Sequence, residues 1–121
     1  MSVQKFQDLL VWQRSMEIVR VVYKLVKQLP KEETYALSDQ MRRAAVSIPS
    51  NIAEGHERKG AKEFVHFLSI ARGSKAELQT QMLLCVEIGY LNDSDINQAM
   101  ELVAEVSKML ATLIKKLTPD L

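Results

Sequence analysis

The chain has 121 residues, 47% hydrophobic and only 6% aromatic, with 4 Gly, 3 Pro and a formal net charge of +1 from 16 Lys+Arg against 15 Asp+Glu. That size suits one domain with its own core, since roughly two thirds of the unfolded surface can be buried at such a length. So few turn-forming and aromatic residues give the profile of helices joined by short turns rather than of a sandwich or barrel, the near-zero net charge excludes attraction to nucleic acid by global charge, and no stretch approaches the roughly 18 apolar residues of a membrane helix.

The N-terminus, MSVQKFQDLL, lacks the basic and then apolar layout of an export signal. The lone Cys85 sits in the apolar run Leu83 to Val86 and has no partner for an internal disulfide. Both observations lead to the expectation of a reduced, cytoplasmic setting with Cys85 in the core.

The first predicted helix runs from about Phe6 to Leu29 and ends at Pro30. Leu9, Trp12, Met16, Val19, Tyr23 and Val26 recur at spacings of three and four, the pattern of a core seam. A second apolar line, Ile18, Val22, Leu25 and Leu29, points elsewhere, so one of the two faces is expected to meet another subunit. The second helix starts near Thr34, carries Leu37, Met41, Ala44, Ala45, Ile48 and Ile52, and is expected to reach Glu57 with a kink at Pro49. Gly55 and Gly60 are read as bracketing the polar turn that follows. The third helix, about Ala61 to Ile88, turns Phe64, Phe67, Ala71, Leu78 and Cys85 inward and ends at Gly89. The fourth opens on Asn92-Asp93-Ser94-Asp95 and repeats Ile96, Ala99, Val103, Val106, Leu110, Leu113 and Leu117. Short connections make successive helices antiparallel, so the predicted fold is an all-α, up-down-up-down four-helix bundle over residues 1–121.

A polar line runs beside the apolar one on the second helix, through Gln40, Arg43, Ser47, Asn51, Glu54 and Arg58, and the third helix answers with Ser74, Glu77 and Gln81. Two solvated faces would account for it. So would a partly buried network with Arg43 paired to Glu77, which would select register or partner more than it would add stability.

The string RRAAVSIPSNIAEG, Arg42 to Gly55, followed by Phe64, Phe67, Leu68, Ala71, Gly73, Ser74 and Glu77, closely resembles the four-helix-bundle proteins encoded in 23S rRNA intervening sequences. Phe6, Leu9, Trp12, Pro30 and Glu33 extend the resemblance over about residues 6 to 117. The accessory variability proteins of diversity-generating retroelements look similar. The resemblance implies a homopentameric, barrel-like assembly and, for the retroelement members, binding to nucleic acid and to a reverse transcriptase.

Catalytic chemistry finds little footing. His56 and His66 are the only imidazole bases, His56 being expected in a solvated charged turn and His66 in a packing or surface role. The bundle-type Glu-x-x-His signature occurs once, at Glu63 to His66, where a di-iron site wants two copies, so no metal, cofactor or enzymatic activity is expected.

Arg14, Arg20, Lys24, Lys27 and Lys31 recur along one side of the first helix, diluted by Glu17. A solvated helix face is one reading of them. In a ring each subunit repeats the stripe, giving a continuous positive surface on a nearly neutral chain. The reading that follows is a non-enzymatic homo-oligomer, a pentamer, that binds RNA or DNA electrostatically and without base specificity, as an accessory to an enzyme such as a reverse transcriptase. The alternative is a protein-binding scaffold with no nucleic-acid role.

Overall fold

The structure, a computed structural model, describes residues 5–119; the parts of the one-domain and N-terminal readings that fall on residues 1–4 and 120–121 lie outside it. Four helices carry the described residues: α1 (Leu10–Leu25), α2 (Leu37–Glu57), α3 (Ala61–Glu87) and α4 (Asp93–Leu117). The single long first helix is corrected at both ends, where Phe6–Asp8 and Val26–Gln28 tighten into 3-10 turns. A further 3-10 turn, Lys31–Glu33, precedes α2, which starts three residues later than the sequence suggests.

The helix ends follow from local chemistry. Gly89, at φ 85°, closes α3 in a Schellman arrangement: its N–H donates to the Val86 carbonyl at 3.1 Å and the Tyr90 N–H to that of Cys85 at 2.9 Å. Asn92 opens α4 with a capping box in which its backbone N–H donates to Asp95 Oδ2 at 2.8 Å. At α2 the Glu33 carboxylate accepts the Leu37 N–H at 3.2 Å. Pro49 lies inside α2, and the helix continues through it to Glu57 as one element.

Each helix packs on two neighbours: α1 and α3 both touch α2 and α4, and lie across the diagonal from one another. Descending α2 from Ser47 to Met41 ascends α3 from Ser74 to Cys85, through a hydroxyl pair at 2.7 Å and a sulfur contact at 3.7 Å, so the two run antiparallel. The start of α1 meets the end of α4 at Leu9 and Leu113, and its end meets the start of α4 at Lys24 and Asp95. No helix among the described residues is long and apolar enough to cross a membrane.

The core contains Ile18, Val22, Met41, Ile48, Ile52, Leu68, Leu78, Met82, Cys85, Val103, Val106 and Leu110, all fully buried. On α1 the expected faces are exchanged. The line Val11, Ser15, Ile18, Val22, Leu25 and Leu29 is buried, whereas of the other line Val26 is buried, Leu9, Trp12, Met16 and Val19 are half-buried and Tyr23 is exposed. Ser15 hid the true seam. Its polar side chain breaks the apolar pattern, yet its hydroxyl is satisfied by the Trp12 carbonyl at 2.7 Å, so it is buried without an orphaned donor.

Gly55 is likewise not turn punctuation. It is buried inside α2, where a Cβ would lie 2.8 Å from Phe67 Cβ and 3.2 Å from the Phe64 carbonyl oxygen, so this glycine lets α2 and α3 touch. Gly60, at φ 87°, is the residue that turns the chain into α3.

Candidate functional site

The five basic residues of the α1 stripe separate into two kinds. Arg14 is committed within the fold: its Nε donates to Glu105 Oε1 on α4 at 2.9 Å and its Nη1 to Glu17 Oε1 at 2.8 Å. The hydrogen bond to Glu105, reinforced by the charges of both carboxylates, raises its pKa further above the ordinary arginine value. Arg20, Lys24, Lys27 and Lys31 are exposed and form no ion pair among the described residues. Four cations, Arg20 and Lys24 on α1 and Lys27 and Lys31 on the two 3-10 turns after it, are therefore left to solvent or a ligand.

Two grooves flank these cations. The larger, about 730 Å³, runs between the end of α1 and the start of α4, with Arg20, Tyr23 and Lys24 facing Asp95 and Gln98. The smaller, about 420 Å³, lies between the end of α1 and the start of α2, where Tyr23, Lys27 and Lys31 face Thr34, Ser38 and Arg42. Glu17 and Asp95 place negative charge beside the first groove, while no carboxylate lines the second. Tyr23, 45% exposed, stands at the wall the grooves share.

Sequence reasoning assigned Tyr23 to the core and left Arg42 out. Arg42 is placed by Nη2, which donates to the Thr34 carbonyl at 3.0 Å, with Asp39 at the longer distance of 3.8 Å. The signal that could have found it is the short Pro30 connection, which folds the first turn of α2 back against the end of α1.

The polar line on α2 divides in a similar way. Ser47 and Ser74 share a hydrogen bond across the α2–α3 contact, and Asn51 Nδ2 donates to both the Ser47 carbonyl at 2.8 Å and its hydroxyl at 2.9 Å. Arg43 does not pair with Glu77. It is 80% exposed and donates to Asp39 Oδ2 at 2.9 Å, a carboxylate one turn back on the same helix that needs no reach across the interface. This contact raises the Arg43 pKa. Glu77 and Gln40 face solvent, and Glu54 and Arg58 pair with each other at 3.7 Å, with the Arg58 guanidinium 5.0 Å from the Phe67 ring centre. Gln81 is buried with its Oε1 unpartnered among the described residues.

The histidines correct one expectation. His56 is not in a solvated turn; it lies in α2 with a side chain only 16% exposed, edge-on to Phe64 at 5.8 Å. His66 is exposed and packs on Phe67 at 5.3 Å. No group of three or more metal-ligating side chains gathers among the described residues.

A family model described as 23S rRNA-intervening sequence protein matches residues 7–112. Among solved structures the fold is similar to the crystal structure of a protein of unknown function from the S23 ribosomal protein family of Bacteroides thetaiotaomicron. That match has a TM-score of 0.80 and 25% identity, and covers 88% of this chain and 99% of the other. A search of curated proteins found no match.

Proposed function

The chain belongs to the 23S rRNA-intervening sequence protein family, and from that premise we propose that it is a non-enzymatic, homopentameric helical bundle that binds RNA or DNA electrostatically along the outer side of α1. The observation that supports this best is the grouping of four unpaired cations around the end of α1, two of them lining each of two adjoining grooves. Arg14, Arg43 and Arg58 are tied to carboxylates, whereas Arg20, Lys24, Lys27 and Lys31 stand together and unpaired among the described residues. Closely spaced cations without counter-ions repel one another, and a phosphate chain relieves that repulsion while releasing its own condensed counter-ions. The family's description refers to 23S rRNA, which makes RNA the first polyanion to test. A role beside a nucleic-acid enzyme, such as a reverse transcriptase, belongs to the same reading.

Lys24→Gln with Lys27→Gln removes two charges per subunit while keeping helix propensity and side-chain length. Anisotropy titrations of a labelled RNA over a salt series should show weaker binding for the variant and a slope of log K against log salt that is shallower by about 0.7 to 0.9 per lost phosphate contact. Equal affinities and slopes for both proteins would mean that the stripe is a solvated face. The protein-scaffold reading would then stand in its place, favoured by the exposed Leu83 and Leu84 on α3 and Ile88 just past its end.

A further inference from the structure

We propose that the groove between the end of α1 and the start of α2 takes one nucleotide of an unpaired nucleic-acid strand, its base stacked on Tyr23 and its phosphate among Lys27, Lys31 and Arg42. The proposal rests on the polyanion reading above and adds the form of the strand and the place where it is gripped.

Tyr23 lies within the basic stripe: on α1 it shares one groove with Arg20 and Lys24, and it shares the other with Lys27 and Lys31 from the turns that follow the helix. A phenol ring 45% exposed, lining two grooves with Arg20, Lys24, Lys27 and Lys31, offers a flat π-face beside positive charge. That is the composition of single-strand binding sites, in which cations track the backbone and aromatic rings take the bases. A duplex keeps its base faces stacked inside and reaches a ring on a helix surface only with its phosphates, so the aromatic adds affinity only for an unpaired base.

The groove beside the ring has the matching size and charge. At about 420 Å³ it is far too small for a duplex, and it falls near the lower end of the roughly 300–1,000 Å³ typical of small-molecule sites. Val26 and Leu29 supply apolar lining, while Lys27, Lys31 and Arg42 bring three cations with no lining carboxylate. Arg42 is oriented by its bond to the Thr34 carbonyl at 3.0 Å; Asp39 stands outside the groove lining, 3.8 Å from the same nitrogen, and the remaining guanidinium donors are left for phosphate oxygens. The neighbouring α1–α4 groove carries Asp95 and Glu17, which repel phosphate, so the strand is steered to the α2 side of Tyr23.

The test compares wild type with Tyr23→Leu, Tyr23→Phe and Arg42→Gln. The ligands are a labelled RNA that cannot pair with itself, DNA of the same sequence, and an RNA duplex of equal length. Tyr23→Leu should weaken the unpaired strand by about 5- to 100-fold and leave the duplex affinity unchanged, and Tyr23→Phe should bind as wild type does. Arg42→Gln should flatten the single-strand salt slope by about 0.7. Loss on RNA and DNA alike shows that base and phosphate suffice, and loss on RNA alone adds a ribose hydroxyl to the contact; both support the site. A silent Tyr23→Leu, or an equal loss on strand and duplex, overturns it while the wider polyanion reading survives through the Lys24 and Lys27 variant. Absence of all binding by wild type removes both. Circular dichroism and light scattering on each variant complete the test, because affinity lost together with assembled mass places Tyr23 at a subunit contact and overturns the proposal.

Discussion

At Gly55 one missing methyl sets the distance between two helices. A Cβ there would press on Phe67 Cβ at 2.8 Å and on the Phe64 backbone oxygen at 3.2 Å, neither of which is the free end of a flexible chain. Overpacking of this kind costs about 1–3 kcal/mol, more than the roughly 1 kcal/mol that alanine gains over glycine in a helix. Gly55→Ala should therefore lower the urea midpoint by an amount equivalent to up to about 2 kcal/mol. Gly73, also helical and open on its outer side, is the internal comparison, and Gly73→Ala should raise the midpoint by up to about 1 kcal/mol. A second residue-scale device joins two loops: the Tyr90 hydroxyl donates to Glu33 Oε2 at 2.8 Å while Glu33 Oε1 caps α2. This hydrogen bond, with burial and the Glu33 charge adding to it, raises the Tyr90 pKa, and burial, with the Glu33 charge adding to it, raises that of the Cys85 thiol. Both groups are held in their protonated forms, so their contribution to stability is present below their ordinary values and is lost as pH climbs through the raised ones. Thermal melts should show stability falling above about pH 9, and Tyr90→Phe should be less stable than wild type at neutral pH with the difference shrinking above about pH 10.

At the scale of the element, α4 shows how much of this fold a sequence can display. Its apolar repeat, capping box and charge order agree, and Ile96, Ala99, Val103, Val106 and Leu110 are buried as their spacing requires. The start of α1 had no comparable agreement between levels. Two lines both satisfied the three-four spacing, and Ser15 masked the one that packs, because periodicity counts side-chain polarity and not whether a hydroxyl can bond its own helix. The stripe of free cations was legible for the opposite reason: residues four apart on a helix share a face whatever lies behind them, as Arg20 and Lys24 do. Its pairing was not. Arg14 belongs to the same sequence pattern but crosses to Glu105 on α4, a contact that depends on the register of two helices far apart in the chain. Both partners are more than a third exposed, so Arg14→Gln should leave the midpoint of a denaturant melt almost unchanged. It should also leave the salt slope of RNA binding unchanged, in contrast to the Lys24 and Lys27 variant.

For the whole molecule, the question is what covers the apolar surface left outside the core. Leu83 and Leu84 on α3 and Ile88 just past its end are 52%, 45% and 54% exposed. On the α1–α2 side, Trp12, Met16, Val19, Val46, Pro49 and Ala53 line a shallow groove of about 310 Å³. Because α3 lies diagonally across the bundle from α1, these patches occupy different sides of the subunit. Such patches suit a heterologous contact in which one subunit's α3 seats on the next subunit's α1–α2 face, and a contact of this kind closes into a ring when its rotation permits. Light scattering of the wild type should then give a single mass near five subunits. Leu84→Glu with Ile88→Glu spoils one face, and Val46→Glu with Met16→Glu spoils the other. Each change introduces charge at half-exposed positions, so the fold should persist while the assembly falls apart. Mixing the two variants decides the geometry, because each retains the face the other lacks: a head-to-tail contact yields a heterodimer that can grow no further, whereas a contact made by like faces leaves only homodimers.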